Sequence, residues 1–169
     1  MAPRADENRR CYRQVADLRT KYPRSRATWK QGTVTWTGMV QPNPLCDIYT
    51  VKISWDGHRR RPVVHVLHPL LTIPKGKSLP HVFPGDELCL HFPGEWSPDM
   101  LITDSIIPWT SEWLYFYELW LATGEWHGGG HDPGSKDPES DEPAAGRSLR
   151  PPREMASRLM VGIGARDPR

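Results

Sequence analysis

The sequence predicts an α+β fold on three observations: an amphipathic helical stripe near the N-terminus, a set of alternating strands behind it, and a tryptophan-rich helical stretch before residue 130. From Glu7 to Tyr22 the apolar positions Cys11, Val15, Leu18 and Tyr22 recur at steps of four, three and four, the spacing that lines one face of a helix. Pro23 ends this N-terminal helix by disfavouring helical backbone in the residue before it. Val34, Trp36, Gly38 and Val40 then alternate with Thr33, Thr35, Thr37 and Met39, and Tyr49, Val51, Ile53 and Trp55 alternate with polar residues. A period of two predicts strands with one buried face each. Asp56-Gly57 favours a hairpin turn, which makes Pro62 to Leu67 the returning strand of a three-strand antiparallel β-meander. Pro69, Pro74, Pro80 and Pro84 mark residues 68 to 88 as an irregular crossing loop, because proline removes a backbone donor and fixes φ. A loop of this length is commonly functional. A C-terminal Trp-rich helix is predicted from about Thr110, which can cap it, to Thr123, with Gly124 as its terminator and Trp113, Phe116, Tyr117 and Trp120 on its apolar face. Trp109, Trp113 and Trp120 are expected in the core.

A chain of 169 residues suits one ordinary core. Residues 1 to 130 form that domain, and the composition changes at 131. The last 39 residues hold six prolines and no aromatic, with an acidic stretch from Asp132 to Glu142 and a basic one from Arg147 to Arg158. Such a segment buries too little to offset its ordering entropy and is predicted to be a disordered tail. Lys+Arg 22 against Asp+Glu 20 leaves a formal charge of +2, so no nucleic-acid partner is expected. No membrane association is expected either, since no stretch approaches the roughly 20 apolar residues of a span. The first residues lack the apolar core of a signal peptide, and a cytoplasmic protein is the expectation. Three cysteines, Cys11, Cys46 and Cys89, are an odd number without framework spacing and read as reduced thiols.

Cys89 stands between Leu88 and Leu90, just after the long loop and before the turn Trp96-Ser97-Pro98. Taken alone, a cysteine in an apolar run is more often a small core residue than a reactive one. In order, however, the helix, the meander with Pro62-Val63-Val64, the proline-rich loop, His81, Leu-Cys-Leu and Trp-Ser-Pro resemble the ubiquitin-conjugating-enzyme fold. The stretch from Ile106 to Gly130 further resembles stand-alone bacterial conjugating-enzyme-like proteins of type II CBASS antiphage systems. The resemblance covers residues 7 to 130. It implies a transferase with Cys89 as its catalytic thiol. The partners it implies are a cyclic-oligonucleotide synthase (cGAS-like nucleotidyltransferase), whose C-terminus is carried as a thioester, and an acceptor protein that supplies an amine. No cofactor is implied for the transfer itself.

Cysteine suits that task, because sulfur-to-sulfur acyl exchange is nearly isoenergetic and serine would trap the acyl group. The reacting species is the thiolate, only a few per cent of a thiol of ordinary pKa about 8.5 at neutral pH, so a donor from His81 or His91 would help. His81 occupies roughly the place of the histidine in the family's His-Pro-Asn motif, but here the segment is His81-Val82-Phe83-Pro84 and the asparagine is missing. Both a catalytic role for His81 and a structural role in pinning the loop are open. The oxyanion of acyl transfer needs a donor, and backbone amides, His91 or Ser97 are the substitutes at hand. Asp99 and Asp104 read as solvated loop acids, with a lesser chance of orienting an amine. Arg59-Arg60-Arg61 reads as a solvated hairpin tip, Cys11 as core and Cys46 as an incidental loop thiol. Gly128 to Gly130 is weak evidence for anion binding. Two other classes stay open: a noncatalytic adaptor of the same fold, and a zinc site from His65, His68, His81, Cys89 and His91.

Overall fold

The helical stripe becomes the inner face of α1 (Ala5–Lys21): Cys11, Val15 and Leu18 are buried, as is Tyr22 just past its end. The computed structural model describes residues 5–57 and 61–129. Behind α1 lies an antiparallel sheet of four strands in the order β1-β2-β3-β4, with β1 at Arg26–Lys30, β2 at Thr33–Val40, β3 at Tyr49–Trp55 and β4 at Val63–His68. The meander therefore has one strand more than the sequence predicted. β1 escaped notice because only Ala27 points inward along a strand otherwise exposed or half-buried. It is held by its pairing with β2 through the tight turn at Gln31-Gly32, both in the left-handed region at φ 49° and 78°, as two-residue hairpins require.

The alternation read in β2 and β3 is present in the fold: Val34, Trp36 and Val40 with Tyr49, Val51, Ile53 and Trp55 are all buried. Trp36 pairs with Ile53, and Ile53 with Val64, so one layer of large side chains crosses the sheet. Trp36 is fully buried, donates its indole N–H to Ser25 Oγ at 2.7 Å and meets Tyr22 edge to face at 5.6 Å. A side chain at Gly38, on the same face two residues on, would run into that indole ring.

The segment from 68 to 88 is not wholly irregular. Val82–Phe83 (β5) and Glu87–Leu88 (β6) form a short antiparallel hairpin. Its loop is Pro84-Gly85-Asp86, with Gly85 at φ 87° and Asp86 at φ 60°, so the proline opens a turn rather than excluding structure. β6 lies against β4.

The tryptophan-rich helix, α2, runs Ile106–Thr123, four residues earlier than predicted. Pro108 sits in its first turn, where a missing N–H costs nothing. Thr110 is not the cap: its hydroxyl donates back to the Ile106 carbonyl at 2.7 Å. Gly124 does end the helix, at φ 82° with its N–H on the Trp120 carbonyl. Trp113, Tyr117 and Trp120 are buried and Trp109 is partly buried against the core. Among the described residues no helix is long and apolar enough to cross a membrane. The predicted disordered tail, 131 to 169, lies outside the described residues.

Candidate active site

The β5–β6 hairpin brings the two sequence-predicted residues together. Its register pairs Val82 with Leu88, and the next step along the ladder opposes His81 to Cys89, joined by a hydrogen bond from the Cys89 N–H to the His81 carbonyl at 2.9 Å. That carbonyl also accepts the indole N–H of Trp113 at 3.1 Å, which ties the hairpin to α2. His81 is buried, in the left-handed region at φ 52°, with its ring stacked on Trp126 at 4.8 Å between centroids. A non-glycine residue keeps such a backbone only where its surroundings fix it, and here two hydrogen bonds and a stacked indole do so.

Cys89 follows β6 directly and is buried, 5% exposed, between Leu88 and Leu90 at 2% and 6%. Two residues before Cys89, Glu87 is paired with Phe83 across the hairpin. Arg61 sits on that pair: its guanidinium lies over the Phe83 ring at 4.0 Å and forms an ion pair and hydrogen bond with Glu87. Burial pulls the Arg61 guanidinium below its ordinary value, while negative charge at Cys89 acts the other way. Sequence reasoning placed Arg61 on a solvated tip. The tip residues Arg59 and Arg60 lie outside the described residues, but Arg61 is a member of this cluster, and only the long-range pair with Glu87 reveals it.

His91 flanks the same group. It is buried, tilted against Trp109 at 5.2 Å, and its Nδ1 lies 2.8 Å from the Phe92 carbonyl. A carbonyl only accepts, so Nδ1 carries the proton and Nε2 keeps its lone pair. Burial first, and Arg61 as well, push His91 below its ordinary value despite that hydrogen bond; the ring is a neutral proton acceptor at physiological pH.

The other two cysteines are Cys11 and Cys46. Burial and then Glu118 push Cys46 up to about 11, and burial, Glu7 and Asp56 push Cys11 up. Both are protonated thiols near neutrality. Asp99 pairs with Arg10 at 3.1 Å and Asp104 with Lys21 at 2.6 Å, so both acids tie their segment to α1. Among the described residues no three His, Cys, Asp or Glu side chains converge to hold a metal ion, so they do not build the zinc alternative.

One further acid stands out on α2. Glu112 Oε2 is buried with no hydrogen-bond partner among the described residues, and burial pushes its carboxyl from 4.5 up to about 7. The folded chain thus holds this proton more tightly than the unfolded one, so the contribution to stability falls as pH rises from about 4.5 to about 7. A Glu112→Gln variant is expected to melt above the wild type at pH 8, with the difference vanishing toward pH 4; thermal melts across that range check it.

A family model described as type II CBASS E2 protein matches residues 14–133. The chain belongs to that family. In this type II CBASS E2 protein the match takes in both strands of the Cys89 hairpin, Arg61, His91 and all of α2. A search of the curated proteins finds no match.

Proposed function

We propose that this chain is a ubiquitin-conjugating-enzyme-like transferase that carries the C-terminus of a partner protein as a thioester on Cys89 and passes it to an amine. The observation that carries this reading is the setting of Cys89: fixed through its backbone to His81, and close enough to the Arg61 guanidinium for the two to interact electrostatically. A packing cysteine needs neither. In this reading His81 is a positioning residue that holds the Cys89 backbone, and His91 Nε2 is the base nearest in sequence for the thiol proton. Transfer needs no cofactor: the thiolate attacks the incoming thioester, the donor thiol leaves with the proton, and the acceptor amine later displaces Cys89.

The family context favours the cyclic-oligonucleotide synthase of the same antiphage system as the carried protein, meeting this one in the cytoplasm. Co-expression of the two tests it. A slower-migrating species on a nonreducing gel, collapsed by dithiothreitol and containing both chains by intact mass, is the expected result. No adduct, from a protein whose Cys89 does not alkylate, would favour the second reading, a noncatalytic adaptor of the same fold. The 5% exposure of Cys89 is the observation on that side.

A further inference from the structure

Acyl transfer at Cys89 passes through a tetrahedral intermediate whose negative oxygen must be stabilised, and the side-chain amide expected after His81 is missing: Val82 and Phe83 follow instead. The backbone next to the thiol does not fill the gap, because the Cys89 N–H is spent on the His81 carbonyl. His91 Nδ1–H is turned to the Phe92 carbonyl, leaving that ring a lone pair rather than a donor. What the site does hold is a cation in a fixed place.

We propose that Arg61 is a catalytic residue, its guanidinium donating to the oxyanion formed when the Cys89 thiolate adds to a thioester carbonyl. The inference rests on the carrier reading and adds the group that stabilises its transition state. Three contacts prepare Arg61 for the task. The Phe83 ring supports one face of its plane at 4.0 Å, Glu87 holds Nη1, and β5 and β6 fix Phe83 and Glu87 opposite each other. Glu87 and Cys89 are two residues apart in the chain, and the guanidinium anchored on the first interacts electrostatically with the second. Of the five N–H donors of an arginine, the ion pair with Glu87 uses one on Nη1, and Nη2 and Nε supply others in the same plane. The step balances: the Sγ–C bond forms, the carbonyl π pair moves to oxygen beside Arg61, and its return expels the donor thiolate, which takes the proton that Cys89 gave up.

The test separates the oxyanion from the thiolate. Single-turnover acylation of Cys89 by a short peptide α-thioester forms an oxyanion, whereas alkylation by iodoacetamide does not, yet both need the thiolate. Arg61→Met is expected to slow acylation on the order of 100-fold, the loss typical of one oxyanion donor, and to slow alkylation far less. Arg61→Lys keeps a charge beside Glu87 and so protects the fold, but lacks the planar fork; it is expected to alkylate at nearly the wild-type rate while acylation still falls. Equal losses in the two reactions for both variants, or unchanged acylation in Arg61→Lys at an unchanged melting temperature, would overturn the inference. A wild-type protein that alkylates at Cys89 but accepts no acyl group would overturn the carrier reading itself, and this inference with it.

Discussion

A Cys89→Ala protein is expected to form no adduct with its partner, and a Cys89→Ser protein to accumulate one that survives dithiothreitol. The difference is chemical. A thioester on Cys89 would exchange with any small thiol at almost no free-energy cost, while the ester formed by a serine hydroxyl is stable to thiols and a poor donor to amines. Serine also ionises far less than a thiol near neutrality, so it loads slowly and then cannot discharge. Alanine removes the nucleophile and leaves Cys11 and Cys46, whose thiols burial and carboxylates hold protonated. Cys11→Ala and Cys46→Ala should therefore load like the wild type. Nonreducing gels with and without thiol, read beside intact mass, decide among these; an adduct persisting in Cys89→Ala would place the chemistry elsewhere.

Trp36→Ala should be the most damaging single change to the fold. The indole is fully buried between the sheet and Tyr22, is hydrogen-bonded to Ser25, and is fitted to the missing side chain of Gly38. Truncation of such a side chain costs about 3–5 kcal/mol, a large share of the roughly 5–15 kcal/mol that separates folded from unfolded domains. Chemical denaturation should show the midpoint moving far down with little change in slope, and Trp36→Phe should recover much of the loss. A cost under about 1.5 kcal/mol for alanine, the range of tolerated core swaps, would mean the sheet's inner layer is not packed around this ring.

How far the sequence disclosed this molecule depended on whether the signal was local. Cys11, Val15 and Leu18 on α1, and the alternating residues of β2 and β3, were legible because burial of one face imposes a period that a single segment displays. β1 was not, because an edge strand with one small inward residue has almost no such pattern and is held by its neighbour. The start of α2 was misplaced because Pro108 and Thr110 carry opposite meanings in a first turn and at a boundary. At the candidate site, the flanking residues single out Cys89 and His81, but their pairing depends on the three-residue turn at Pro84-Gly85-Asp86, which read as a break. Arg61 gave no local signal at all. Its meaning comes from Glu87, 26 residues away, and from a ring that β5 places beneath it.

Peptide mapping of the adduct recovered from co-expression, digested under acidic nonreducing conditions, tests the central claim most directly. The account predicts the partner's C-terminal carbonyl on the peptide that contains Cys89, released from it by dithiothreitol. Attachment at Cys11 or Cys46, or a bond to nitrogen that thiol does not release and that forms equally without Cys89, would contradict it.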